Sequence, residues 1–223
     1  MLTEMMDKLK QMGVKKVSVD PSRFNDPVAM QTSWTPLVYG GASFKTHRLR
    51  EPEAGRIEIT ATIGAKVFYL LFLILGIGLV IGAPAAGYFS DQVEFSLKLL
   101  LPVFIGLVFA GVGGALLVSG TTPAVIDRRS GLFWKGRKQP HPPFDSVREG
   151  TMAQLNQVYA LQIIEEYVNG NKSSYHSYEL NLVLSDGSRV NVADHGHLKS
   201  IQEKGAVISK FLGKPLWDAT AIH

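Results

Sequence analysis

Residues 67–89 read VFYLLFLILGIGLVIGAPAAGYF, and residues 99–119 read LLLPVFIGLVFAGVGGALLVS. Neither run carries an ionisable side chain other than the neutral phenols of Tyr69 and Tyr88. At about 1.5 Å per residue, helices of these lengths run roughly 34 and 31 Å, enough to cross the hydrocarbon core of a bilayer. Two spans in series predict a transmembrane α-helical hairpin over residues 67–119. The competing reading is a pair of buried core helices, but a soluble domain of this size rarely encloses two such runs on every side. A secretory signal would end within roughly the first 15–30 residues, so a run beginning at Val67 is expected to be a permanent anchor.

The flanks of the spans set the expected orientation, because translocated loops are depleted of Lys and Arg. Lys45, Arg48, Arg50, Arg56 and Lys66 precede the first span, and Arg128, Arg129, Lys135, Arg137 and Lys138 follow the second. The connecting loop, 90–98, offers Asp91 and Glu94 against Lys98. Both termini are therefore expected on the cytoplasmic side of a bacterial inner membrane. The formal charge of +4 is too small, and too closely tied to the span flanks, to argue for a nucleic-acid partner. The chain has no cysteine, which excludes disulfides, thiolate catalysis and Cys-based metal sites.

Small residues within the spans indicate helix packing. Gly78 and Gly82 have GxxxG spacing, and Ala110 and Gly114 repeat the small-xxx-small pattern, so each helix has a side where a backbone can approach closely. Packing between the two helices is the plain expectation; self-association or docking of a partner's helix would use the same faces. Pro84 and Pro102 are expected to bend or end their helices, and no charge within the spans suggests an ion path.

Outside the spans, residues 1–36 divide into an amphipathic stretch and a connector. Leu2, Met5, Met6, Leu9 and Met12 recur at helical spacing with Lys8 and Lys10 among them, suited to the membrane surface, to packing on the rest of the protein, or to a frayed terminus. Pro21 to Pro36 reads as an irregular connector. Within 37–62, SFKTHRL (43–49) and RIEITAT (56–62) alternate apolar and polar residues across a turn-rich EPEAG, the pattern of a β-hairpin. Such a pair is marginal alone in water, so it should pack on or extend the domain formed by residues 120–218. In that domain AVIDRRSGLFWKG reads as two strands about a Ser130-Gly131 turn, with Phe133 and Trp134 on opposite faces as core or interface anchors. After a proline-rich loop, VYALQIIEEYV (158–168), YELNLVL (178–184) and RVNVA (189–193) form an antiparallel meander. In the last segment, Leu198, Ile201, Ile208, Phe211 and Leu212 share one helical face, Asp194 is the expected N-cap, and Gly213 with Pro215 stops the helix.

The expected fold is thus a two-helix membrane hairpin plus an α+β soluble domain, a small antiparallel sheet closed by a C-terminal amphipathic helix. That order resembles the pleckstrin-homology-like domains of many bacterial membrane proteins. Two spans, then a D-x-x-x-G-L-x-x-x-G-like element (Asp127, Gly131, Leu132, Gly136), a meander and a helix ending in FLGKPLWD (Phe211 to Asp218) are similar to the photosystem I assembly factor family of cyanobacteria and plastids. The similarity covers roughly residues 65 to 218 and departs from that family in the long N-terminal region and the insertion NGNKSSYHS. It implies a non-catalytic, membrane-bound scaffold and carries over no binding residue.

Asp194, His195 and His197 (DHGH) place a carboxylate and two imidazoles at one strand-to-helix turn, where a divalent metal could be held. The alternative is a helix start in which Asp194 caps and His197 bonds in the first turn. Glu165 and Glu166 face opposite sides of a strand and read as a solvated edge, not as an acid/base pair. Arg128, Arg129, Lys135, Arg137 and Lys138 either contact anionic lipid headgroups or only enforce topology. No HExxH, GxSxG or Walker-type loop occurs, and no cofactor is expected. The partners expected are the lipid bilayer and either another protein or a second copy of the chain. Two functions follow as expectations: a scaffold or regulatory factor whose cytoplasmic domain binds a protein, or an immunity or exclusion protein that neutralises a membrane-directed toxin through its helices and outer loop.

Overall fold

Alternation of side chains builds the first sheet. In the computed structural model, which describes residues 14–15, 19–37, 47–89, 97–144, 147–148, 150–169 and 174–220, β2 (His47–Glu53) and β3 (Arg56–Ala61) turn at Gly55, whose φ of +83° favours glycine. Ile57, Ile59 and Ala61 of β3 are buried while Arg56, Glu58 and Thr60 are half-buried, the period of two that a sheet with one core face requires. β3 pairs antiparallel with β4 (Ala124–Asp127), in the register Arg56 with Asp127 through Ile59 with Ala124. β5 (Leu132–Lys135) and β6 (Met152–Gln154) complete a five-stranded sheet in the order β2-β3-β4-β5-β6. The expected hairpin extends the sheet that follows the apolar helices, but its first strand runs on through Glu53, so Glu51 to Glu53 of the expected EPEAG turn are strand; residues 43–46 of SFKTHRL lie outside the described residues. Phe133 enters the main core, and Trp134, on the other face, packs with Val125 and Leu132 under Phe144 and Met152.

The second sheet is built on β7 (Val158–Asn169) and β8 (Ser174–Leu184), paired antiparallel out to Asn169 opposite Ser174. β9 (Arg189–His195) adds to β8, while β1 (Val14–Lys15) and β10 (Leu216–Asp218) both pair with β7, antiparallel and parallel respectively. The strand pairing at 174–177 takes up part of the NGNKSSYHS segment, which was expected to be a polar loop. Leu161, Ile163, Leu180, Leu182, Val190 and Val192 face Ile57, Ile126 and Phe133 of the first sheet, with Ile201 and Ile208 of α4 (Leu198–Leu212) in the same core. Gly213, at φ +67°, ends α4 by donating its N–H to Ser209 O at 2.8 Å. The N-cap is His197 and not Asp194, because β9 runs on to His195 and keeps Asp194 in extended backbone.

The connector expected at Pro21 to Pro36 is ordered structure. A 3₁₀ turn, Pro21–Phe24, is capped by Asp20, and α1 (Pro27–Gln31) is capped by Asp26. Phe24 stacks on Trp34 at 4.9 Å, and both rings meet Trp217. With Ala29 they cover Ala160 and Val183 on the side of the second sheet away from the main core. This segment belongs to the same compact unit as the two sheets, Met1–Thr60 with Pro123–His223. The amphipathic stretch at residues 1–12 and most of the loop at 90–98 lie outside the described residues.

Ala61–Thr122 is a separate unit, made of α2 (Ile63–Phe89) and α3 (Leu97–Ser119). Only 11% of the most apolar window of each helix is buried, unlike the mostly buried core helices of a soluble domain; both are long and apolar enough to cross a membrane. Pro84 and Pro102 lie inside these helices and end neither. The helices do pack on each other, but through a different set of small residues. A Cβ at Gly76 would stand 2.2 Å from the Ala110 nitrogen, and one at Gly113 would stand 2.4 Å from that of Leu73. Gly106 is similarly closed by Gly76 O at 2.8 Å, and Phe72 stacks on Phe109 at 5.1 Å. Of the residues expected at this contact, Ala110 is there, whereas Gly78, Gly82 and Gly114 have no atom within 4 Å of a would-be Cβ. Gly78 and Gly82 face outward.

Gly76→Ile and Gly113→Ile should each destabilise the helix pair by about 1–3 kcal/mol through overpacking, while Gly78→Ile leaves it unchanged within about 0.5 kcal/mol. Unfolding of the detergent-solubilised protein by SDS titration, followed by helix ellipticity, separates the two groups.

Candidate functional site

The side of β7, β8 and β9 away from the main core carries polar residues where solvent would be expected, yet they are buried. Glu179 is 2% exposed, Glu166 3%, Asn191 5%, and Gln162 and Asn181 are fully enclosed. Buried groups of this kind are costly unless hydrogen-bonded, and a chain of contacts runs across the face. Gln162 Nε2 donates to Ser33 O at 3.0 Å, while Gln162 Oε1 accepts from Arg189 at 3.0 Å and from Asn181 at 3.4 Å. Asn181 Nδ2 also donates to Glu179 at 2.6 Å. Both oxygens of Glu179 accept the backbone N–H of Leu37 at 3.0 Å. On the next strand Asn191 Nδ2 donates to Asp194 at 3.0 Å and its Oδ1 accepts from the Lys135 ammonium. The segment 33–37 and the end of β5 thus roof a polar layer.

Electrostatics perturb this layer strongly, and Asp194 carries a large shift from the ordinary carboxyl range. Asp194 sits directly opposite Glu179 in the β8–β9 ladder. Desolvation first, and the Glu179 charge second, push its carboxyl up to about 7, against the opposing pull of Lys135 and the Asn191 hydrogen bond, with Glu166 adding a smaller upward push. Burial also lowers the Lys135 ammonium, although Asp194 and Glu179 favour its charged form. A shift of this kind, caused by desolvation plus named charge partners, marks a group poised between two protonation states near neutrality.

The DHGH residues do not converge on one point. Asp194 turns to Asn191; His195, fully enclosed, accepts the His197 N–H at Nδ1 at 2.9 Å; and the exposed His197 accepts the Ser200 N–H at 3.4 Å as N-cap. Among the described residues no group of three or more His, Asp or Glu side chains is placed to hold a metal ion. The solvated edge expected at Glu165 and Glu166 is also corrected. Glu166 is buried, and the half-buried Glu165 pairs with His176.

Of the five basic residues, Arg128, Arg129, Arg137 and Lys138 are exposed and Lys135 is half-buried. Lys135 turns inward to Asn191, Arg128 lies over the Phe211 ring at 4.6 Å, and Arg129 pairs with Glu53 at 2.7 Å. Sequence reading missed Gln162, Glu179, Asn181 and Asn191, whose alternation with Leu, Ile and Val matches a solvent-facing strand side.

An α+β domain of two mainly antiparallel sheets and one terminal helix, carrying two helices long and apolar enough to cross a membrane, is the class defined by this geometry; those helices point to membrane association. No protein-family model, curated protein or solved structure matches the chain.

Because the Asp194 pKa is raised on folding, its contribution to stability is full below about pH 4 and is lost as pH rises through about 7. Asp194→Asn should therefore stabilise the protein at pH 8 relative to wild type, and do so less at pH 4.5. Partial exposure holds the difference to roughly 1–2 kcal/mol. Urea melts of both proteins at the two pH values measure it.

Proposed function

We infer that this chain is a scaffold or regulatory factor of the bacterial inner membrane whose soluble domain binds a protein partner. The observation that supports this reading is the β3–β4 ladder. The chain leaves one sheet at Ala61, runs through both apolar helices and rejoins the same sheet at Ala124. A chain that does this must cross a bilayer an even number of times, so both flanks lie on one side, and the basic flanks make that side the cytoplasm. Two spans then hold a single domain at the membrane by two covalent connections. The two sheets, closed on each other and on a C-terminal helix, favour a pleckstrin-homology-like module, a fold suited to presenting edges and loops to another protein.

The outward Gly78 and Gly82 favour a second reading, an immunity or exclusion protein that meets a membrane-directed toxin through α2. A photocrosslinking residue placed at Asn156 or Val207 in the soluble unit, and in parallel at Ile81 on α2, distinguishes the two in intact cells. Under the scaffold reading the soluble-unit positions give a discrete protein adduct and position 81 gives lipid only. An adduct confined to position 81 would overturn it in favour of the immunity reading. Protease added to spheroplasts should leave the C-terminal domain intact, and cleavage there would refute the assigned side.

A further inference from the structure

A cavity of about 240 Å³ lies between β2 and α4, lined by Arg48, Leu49, Ser200, Glu203, Lys204 and Val207. Ser200, Lys204 and Val207 follow one another at i, i+4 and i+7 on α4, so successive turns present a hydroxyl, an ammonium and an apolar wall to the same space. Lys204 is only 6% exposed, an unusual position for an ammonium on the flank of an amphipathic helix. Arg48 adds a second cation from the strand, and its Nε is buried with no acceptor. The acidic residue in the lining, Glu203, is exposed. The lining thus brings together the Arg48 guanidinium, the Ser200 hydroxyl and the Lys204 ammonium, with Glu203 at the exposed side.

A buried guanidinium N–H without an acceptor is costly, and an oxygen-bearing anion in the adjoining cavity would supply the missing acceptor. The donors come from three directions: one strand and two successive helical turns. A planar carboxylate would be satisfied by a single guanidinium fork, whereas donors spread in this way suit a tetrahedral oxyanion. Leu49 and Val207 offer an apolar wall for the carbon skeleton next to it.

We propose that the Arg48–Ser200–Lys204 cavity is a binding site for a phosphate group, carried either by a small molecule or by a lipid headgroup. The site is independent of the polar layer on β8 and β9 and of the partner-binding role inferred above.

The test uses the full-length chain. In uncharged detergent, phosphorus NMR line broadening and calorimetry with inorganic phosphate should show saturable binding. Arg48→Met and Lys204→Met should each weaken it about tenfold or more, while Glu203→Gln, which removes a competing negative charge at the rim, should strengthen it. Far-ultraviolet melts identify any variant that fails to fold, and Glu203→Gln keeps the test open if both cation variants do. Nanodiscs of phosphatidylcholine alone and with phosphatidylglycerol separate the sources. Displacement of phosphate only by the anionic discs identifies a headgroup, and its persistence there identifies a soluble phosphate. Absence of saturable phosphate binding in detergent and in discs alike, or binding equal in wild type, Arg48→Met and Glu203→Gln, would overturn the site.

Discussion

The pairing of β3 with β4 is the constraint on which the architecture rests. Its four residue pairs join segments separated in sequence by both apolar helices, and they do so inside a shared core, since Ile57 and Ile59 pack with Ala124 and Ile126. Without that ladder the first hairpin would be an isolated pair of strands, marginal in water. With it, residues on either side of the helices become one cooperative unit.

A second constraint acts at the far face of the other sheet. The segment 20–37 lays Trp34 and Phe24 against Trp217 at one end of that face and gives Leu37 N–H and Ser33 C=O to the carboxylate and amide at the other. The apolar end contributes burial, while the polar end fixes register, because Glu179 and Gln162 must be satisfied once they are removed from water. Asp194 opposite Glu179 is the residue this arrangement strains. Two carboxylates facing each other across neighbouring strands cannot both ionise cheaply, and Lys135, hydrogen-bonded to Asn191, offsets that repulsion in part. The face is therefore an internal polar layer, covered by the chain's own N-terminal segment, and is not an open binding surface.

What could be read from sequence followed from how local the deciding interaction is. The alternation in RIEITA, the apolar stripe of α4 and the Gly213 stop are set by neighbours within a few residues, and they appear where their patterns place them. The polar alternation of YELNLVL was equally legible but ambiguous. A strand side carrying Glu179 and Asn181 looks the same whether water or another segment covers it, and the segment that does so lies about 140 residues away. The helix contact failed for a geometric reason. Residues two apart on a helix are separated by about 200°, so choosing Gly78 instead of Gly76 turns the predicted contact to the opposite side, and nothing in a glycine-rich run fixes that phase. Asp194 was expected to cap a helix because acidic residues commonly do. The β8–β9 ladder extends one residue beyond it and transfers that role to His197.

Inserting the helices between paired strands also bears on how the ladder can form. Joining Ala61 to Ala124 as a free loop would carry a closure cost that grows as (3/2)RT ln n, and the intervening stretch is about sixty residues long. Gly76, Gly106, Ala110 and Gly113 let α2 and α3 approach to backbone contact, so a hairpin already formed holds the two strand ends within a few residues of each other. Replacing a sixty-residue loop by an effective loop of a few residues lowers the closure cost by roughly 2 kcal/mol. The close-packed glycines of one unit thereby assist a strand pairing in the other through chain connectivity.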